Sequence, residues 1–262
     1  MSSSQTFRIA SWNVNSVKAR LEHVKAWLQT QAPDVLLLQE LKGLEFPAAE
    51  FSALGYQSAA VTQKAYNGVA ILSRHPIETV STRLPGEPAD EHARFLEANI
   101  AGLRIVNIYL PNGNPPGSEN FAYKLAWMDR FRTQLLAWRN ADLPVLIGGD
   151  FNVIPEDLDC HKPSSWAGDA LFQPQARERW RGFLEVGYQD AFRALHPTVK
   201  EFTFWDYFRK GFETNRGIRI DHFLLSPKVA ERLVSCVVDK APRGLLKPSD
   251  HTPIILGLRA DK

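Results

Sequence analysis

Asp150 and Asn152 stand two apart in "VLIGGDFNVIP" (Val145–Pro155), straight after an apolar run that ends in two glycines. Gly, Asp and Asn are common turn formers. In extended chain, however, side chains two apart share a face, so the pair also reads as a polar site at the carboxyl end of a strand. The pattern recurs. Asn13 and Asn15 close "RIASWNVN", Gln39 and Glu40 close "VLLLQE", and "VNIYLPNG" carries Tyr109 and Asn112. Asp221 interrupts the apolar "RIDHFLL", and Asp250 and His251 immediately precede "TPII". Any one of these alone is a turn or a solvated strand end. Together they describe one rim assembled from many strand ends, where sites on rigid scaffolds tend to lie.

Oxygen ligands without a cysteine cluster suit a hard cation, held by one or two carboxylates plus water and substrate phosphate. Glu40 and Asp250 are the candidate carboxylates, with Asn13 as a neutral neighbour. Asp221, inside an apolar strand, needs a partner to be buried. His251 is the candidate, because a carboxylate sets the tautomer of an imidazole and stabilises the imidazolium. His222 is the rival, but its adjacent place in the strand turns it to the opposite face from Asp221. Asn152 can donate to a phosphate oxygen, and Asp150 can accept a proton from attacking water or hold the nucleophile in line. Tyr109 offers a phenol to a phosphate or a leaving oxygen. The chain has no GxxxxGK followed by Ser or Thr, no GxSxG and no HExxH. Metal-assisted phosphodiester hydrolysis is therefore expected, rather than nucleoside triphosphate chemistry.

Strands must position these groups. "FRIASWNV", "DVLLLQE", "GVAILSR", "LRIVNIYLP", "PVLIGGDFN", "RIDHFLLS", "LVSCVVD" and "TPIILGLR" all read as strands, several apolar at consecutive positions and so covered on both faces. Leu21, Val24 and Leu28 mark one amphipathic helix, the series Phe121 to Trp138 a longer one, and "QARERWRGFLEVG" a third. Strands outnumber helices without regular alternation, which argues against a TIM barrel or a Rossmann sheet. Two packed sheets with helices outside them are expected, as one domain spanning residues 1–262. "WNVN" (Trp12–Asn15) and "GDFN" (Gly149–Asn152) echo one another, as two similar halves meeting at one site would.

Composition is ordinary for a globular chain, at 44% hydrophobic and 23% charged, and a net charge of +2 neither demands nor excludes an anionic partner. Cys160 and Cys236 form neither a zinc spacing nor a disulfide framework, so a reducing, cytoplasmic setting is expected. "MSSSQTFRIA" lacks the charged and apolar regions of a signal peptide, and no apolar run is long enough to span a bilayer.

"SWNVNSVKAR", "LLLQELK", "NIYLPNG", "GGDFNVIPEDLD", "TFWDY", "NRGIRIDHFLLS" and "KPSDHTPI" occur in an order that resembles the exonuclease III / AP endonuclease branch of the endonuclease–exonuclease–phosphatase superfamily. The likeness runs from Asn13 to about Ile255. It implies a four-layer α/β sandwich of two packed, mainly antiparallel sheets flanked by helices. It implies Mg²⁺ or Mn²⁺ dependence and cleavage of double-stranded DNA 5′ to abasic sites, with 3′-phosphodiesterase and 3′→5′ exonuclease activity at 3′-blocked ends, and a monomer. Glu40 and Asn13 then resemble metal-site residues, with Asp250 nearby and Asp150 and Asn152 adjoining. Asp150 resembles the proton-handling aspartate and Asn152 the residue bonding the scissile phosphate. His251, held by Asp221, resembles the phosphate-contacting histidine, and Tyr109 the phosphate-facing tyrosine. Phe204, Trp205, Ile218 and Ile220 match the region that forms the abasic-sugar pocket, too small for a base.

Three positions depart from the family pattern: Ser16, where glycine is common, Leu41, where threonine is, and Ile218, where some relatives carry an aromatic. Cations expected to face phosphates include Lys18, Arg20, Lys42, Lys64, Arg94, Lys124, Arg209, Lys210, Arg216, Arg219 and Lys247. "FWDYFRKGF" interleaves aromatics with two of them. The competing readings are another phosphodiesterase or phosphatase of the superfamily and a catalytically silent DNA-binding module on the same fold.

Overall fold

A computed structural model describes residues 6–260. In chain order its main elements are β1 (Thr6–Asn13), α1 (Leu21–Gln31), β2 (Val35–Gln39), α2 (Ala48–Ser52), β3 (Gln57–Val61), β4 (Val69–Ser73), β5 (Glu78–Ser81) and β6 (Phe95–Ile100). There follow β7 (Leu103–Tyr109), α3 (Glu119–Asn140), β8 (Val145–Asp150), α4 (Pro174–Glu185), β9 (Gln189–Asp190), α5 (Ala191–Leu195), β10 (Asp221–Leu225), α6 (Pro227–Ala230), β11 (Leu233–Val238) and β12 (Ile254–Arg259).

The strands form two six-stranded sheets, ordered β11-β12-β1-β2-β4-β3 and β5-β6-β7-β8-β10-β9. Read inward from β11 and from β9, both sheets pair antiparallel, antiparallel, parallel, antiparallel, antiparallel. The single parallel pair lies at the centre of each: β1 beside β2, and β7 beside β8. The echo between "WNVN" and "GDFN" thus has a structural counterpart, since β1 and β8 occupy equivalent places in the two sheets.

Successive residues of a strand face opposite ways, and here both faces are covered. Ile9, Leu37, Ile71, Ile105, Leu146 and Phe223 pack between the sheets. Ala10, Leu36, Leu38 and Trp12 face outward against Val24, Trp27 and Leu28 of α1. Val106, Ile108 and Ile147 face Phe131, Trp138, Trp180 and Phe183 of α3 and α4. The result is the expected four-layer order of helix, sheet, sheet, helix. The sheets approach so closely that a Cβ at Gly148 would sit 2.7 Å from Leu37 of the other sheet; within its own sheet it would meet the Phe223 ring at 2.5 Å, and one at Gly149 would sit 2.0 Å from the Ile108 carbonyl oxygen of β7.

Four strands escape the apolar-run reading. β3 and β5 are sheet edges with mostly exposed or half-buried residues, β6 carries Glu97 and Asn99 among its apolar positions, and β9 is two residues long. Among the described residues, no helix is long and apolar enough to cross a membrane.

Candidate active site

The parallel register at the centre of each sheet brings strand ends level. Asn13 pairs with Gln39 across β1 and β2, Tyr109 with Asp150 across β7 and β8, and Asp221 with Asp150 across β10 and β8. Where the two sheets meet, Asn13 spans them: its Nδ2 donates to Glu40 Oε1 at 2.8 Å and to Asp150 Oδ2 at 2.9 Å. Tyr109 donates its hydroxyl to the same Glu40 Oε1 at 2.9 Å. His251, carried on the turn that leads into β12, sets Nδ1 at 2.8 Å from Asp221 Oδ2 and Nε2 at 3.6 Å from Asp150 Oδ2. The turn is held by Ser249, whose hydroxyl donates to the Asn13 carbonyl at 2.7 Å.

The charges respond to this enclosure. Burial alone lowers the pKa of His251, yet Asp221 and Asp150 outweigh it and raise the value to about 10. Asp150 is pushed up to about 7 by burial, with the His251 cation opposing. Burial also works against ionised Glu40, but the Lys42 ammonium 2.7 Å away and the bonds from Lys42 and Asn13 prevail and hold its carboxyl below the ordinary range. Tyr109 is pushed well above its ordinary value by burial and by the Glu40 and Asp150 carboxylates, so it is a hydrogen-bond donor. His222, by contrast, is lowered to about 4 by burial and by Arg219. It packs against Trp180 and Phe151 on the far face of β10, as its parity with Asp221 requires.

These side chains line a cavity of about 380 Å³. Its polar lining includes Glu40, Tyr109, Asn112, Asp150, Asn152, Asp250 and His251, and its apolar lining Trp166, Leu171, Phe204 and Ile220, with Phe204 packed on the His251 ring. Asn152 accepts a hydrogen bond from Asn112 Nδ2 at 3.1 Å and donates its own amide to the Leu110 carbonyl at 2.9 Å. Asn15, left-handed at φ 45°, donates to Asp250 Oδ1 at 3.1 Å and accepts from Lys42 at 2.5 Å, linking the Asp250 wall to Glu40. Ser16 follows at φ 89°, a conformation in which a side chain is strained and glycine is not. This accounts for the glycine common at that position.

Several expected contacts are placed differently. Ile218 and Trp205 have no exposed surface. Ile218 packs behind the cavity with Ile154 and Cys160, and the Trp205 indole donates to Asn215 at 3.2 Å; neither reaches the cavity. Arg219 is also fully buried, bonded to Asp159 at 2.7 Å and Asp190 at 2.9 Å, so it presents no donor to a phosphate outside. Lys124 is buried within α3, and Arg20 is tied to the Pro248 carbonyl at 3.0 Å. Arg94 lies over the Tyr109 ring and lines an adjoining polar cavity with Lys42, Gln63 and His92. Lys18, Lys64, Arg209, Lys210, Arg216 and Lys247 are exposed. Sequence reasoning passed over Trp166, Leu171, Asn114 and Asp169. They lie in the Pro- and Gly-rich loops after β7 and β8, where no periodicity marks an inward side chain.

The donor set suits a divalent cation. Glu40, Asp150 and His251 bring ligand atoms within 4.8 Å of one another, and Asp250 stands on the same wall outside that tight group. Buried carboxylates this close repel one another unless cationic charge is added, and oxygen donors match a hard ion.

The profile of the Endonuclease/Exonuclease/phosphatase family matches residues 10–251. Exodeoxyribonuclease III of Haemophilus influenzae is 34% identical over 261 residues, covering 94% of this chain and 98% of that protein. Among solved structures, an AP endonuclease from Archaeoglobus fulgidus shares 39% identity at a TM-score of 0.92, covering 96% of this chain and 99% of that one. A 3′ phosphatase from Neisseria bound to product DNA hairpin shares 35% identity at a TM-score of 0.93, with the same coverage. Sequence profile and backbone agree from the first sheet's Ala10 to His251 of the polar rim: this chain belongs to the endonuclease/exonuclease/phosphatase family.

Proposed function

We propose that this protein is a divalent-metal-dependent DNA repair nuclease that hydrolyses the backbone 5′ to abasic sites, with 3′-phosphodiesterase and 3′→5′ exonuclease activity at the same centre. One observation carries the reading: Asn13 bridges Glu40 and Asp150 in the cavity that also receives the Asp221-held His251, and Phe204, Ile220, Leu171 and Trp166 line the same cavity. The activities named for the relatives support it.

Asn13, Glu40 and Asp250, with Asp150 and Asn152 adjoining, hold Mg²⁺ or Mn²⁺ in this reading. Lewis-acid polarisation of a phosphoryl oxygen is the chemistry such an ion supplies when bound. The remaining work falls to the chain. His251, kept protonated by Asp221, donates to a non-bridging oxygen of the scissile phosphate. Asn152 donates to a second oxygen through its amide. Asp150 receives the proton of the attacking water, for which a carboxyl raised toward neutrality is suited. Tyr109 donates to the phosphate or the leaving oxygen. Phe204, Ile220, Leu171 and Trp166 shape a nook for a sugar without a base, and exclude intact nucleotides by volume. Such a sugar is cheap to extrude because it has no base to unstack. The partner is duplex DNA with an abasic site or a blocked 3′ end, taken by a monomer in the reducing interior of the cell.

The test is a duplex with one abasic analogue, run beside undamaged duplex and a nick with a 3′-phosphate, with Mg²⁺ and with EDTA. Incision 5′ to the lesion in Mg²⁺ and none in EDTA is expected. Turnover of a soluble phosphomonoester or inositol phosphate, with every DNA substrate left intact, would refute the proposal.

A further inference from the structure

Lys124 is a buried ammonium that the reaction outlined above does not use. It has no exposed surface, and among the described residues it makes no ion pair. Its Nζ donates instead to two backbone carbonyls, that of Asn112 at 3.0 Å and that of Asn152 at 2.5 Å. The two belong to different loops, one after β7 and one after β8. Burial draws the lysine pKa down to about 7, with Asp169 and Asp150 pulling the other way. An unpaired buried charge is costly, and a leucine or methionine would fill the same space without that cost. A lysine does what they cannot, which is to pin two carbonyls from separate loops to one point.

Both carbonyls belong to residues whose side chains line the catalytic cavity and bond one another, Asn112 Nδ2 to Asn152 Oδ1 at 3.1 Å. Asn152 is left-handed, at φ 46°. A non-glycine residue keeps that conformation only where its surroundings over-determine it. The loop at Gly113 (φ +85°) folds directly onto the lysine stem, where a Cβ would meet Lys124 Cδ at 2.6 Å.

We propose that Lys124 is a positioning residue: its Nζ clamps the Asn112 and Asn152 carbonyls and so keeps the Asn152 amide aimed at the phosphate. The proposal rests on the nuclease reading of the site. Lys124 touches neither substrate nor water in this role and acts through Asn152.

The experiment is a double-mutant cycle of Lys124→Met with Asn152→Ala. The readouts are kcat and KM on an abasic duplex, Kd for the same duplex by anisotropy in EDTA, and thermal melting. Lys124→Met is expected to lower kcat by about 10–100-fold, the scale of a small misplacement of a reacting group, with Kd changed by less than about threefold. In the Asn152→Ala background the same substitution is expected to slow the enzyme by less than about twofold, since both then remove one function. Lys124→Arg, which keeps a cationic donor, is expected to retain more activity than Lys124→Met. If Lys124→Met does not fold, Lys124→Gln carries the same cycle. Additive losses in the double variant, a Kd that weakens in step with kcat, or wild-type kcat in Lys124→Met would each overturn the proposal. A wild type that cuts no DNA removes the nuclease reading and this role together, whereas a cutting wild type with an additive cycle removes this role alone.

Discussion

Asp221 grips the Nδ1 of His251 at 2.8 Å inside the protein, which leaves Nε2 as the only ring nitrogen turned toward Asp150 and the cavity. An amide at position 221 carries no charge, so it no longer holds the imidazolium and can present a donor to Nδ1 of the neutral ring. Asp221→Asn is therefore expected to lower kcat by about 10²–10⁴-fold, the range for loss of an oriented acid–base group. Its melting temperature in EDTA should fall below that of the wild type, because Asp221 is the chief cause of the raised His251 pKa. Single-turnover kinetics on an abasic duplex decide it; wild-type turnover would remove the pair from the mechanism.

Two groups of the site make stability without metal fall as pH rises. His251 titrates near 10 in the fold against an ordinary 6.5, so its contribution is complete below the lower value and is lost on the way to the higher one. Asp150 titrates near 7 against 3.8 because burial disfavours its charge, so here too the folded state binds the extra proton and acid favours it. Lys124, near 7 in the fold against 10.5, works the other way above about pH 7, so in EDTA Lys124→Met should lose more melting temperature than the wild type between about pH 7 and about pH 10. Asp150→Asn, inactive, should melt at least about 2 °C above the wild type at about pH 8, the shift of roughly 1 kcal/mol in a chain of this size. A variant that melts lower at that pH would contradict the cost assigned to the buried carboxylate.

Glu40 collects a bond from Asn13, one from Tyr109 and the Lys42 ammonium. Glu40→Gln keeps the shape and removes the charge. The expected outcome is a rise of about 10–100-fold in the divalent-ion concentration for half-maximal rate, with DNA binding in EDTA unaltered. Asp250→Asn should shift that midpoint less, because Asp250 stands outside the tight group. Titrations with Mg²⁺ and Mn²⁺ compare the two; an unchanged midpoint in Glu40→Gln would move the ion elsewhere.

Two arginines ten residues apart should behave in opposite ways. Arg209 is exposed beside the site, on a cavity shared with Lys162 and Arg216. Arg209→Ala, and likewise Lys210→Ala, should reduce the slope of log Kd against log salt by about one and leave melting unchanged. Arg219 is buried between Asp159 and Asp190. Arg219→Ala strands two carboxylates and should cost about 3–5 kcal/mol of stability. Anisotropy over a salt series and denaturant melts measure both.

The polar rim was legible because strand parity and strand ends are local properties: Asp221 against His222 follows from alternation, and Asp150 with Asn152 follows from their place at the end of β8, although the left-handed turn there, not alternation, brings Asn152 to the cavity. The errors begin where regular structure stops. Ile218 and Ile220 share parity, but β10 starts only at Asp221, so the rule does not hold between them and their side chains part. Arg219 reads as a surface charge because its acidic partners lie 60 and 29 residues away, beyond any local pattern. Lys124 carried a signal that its charge obscured, since it falls on the buried stripe of α3 with Phe121, Met128 and Phe131. The loops that supply Trp166 and Leu171 have no period to read.

The last of the rim residues in chain order is His251, and the strand after it, β12, inserts between the edge strand β11 and β1 of the first sheet. A ribosome building this polypeptide thus holds no competent centre until that late stretch has emerged and taken its place. If the proposed reading of the site holds, a polypeptide cut short before β12 lacks both that histidine and the strand that pairs with β1, and should cut no DNA.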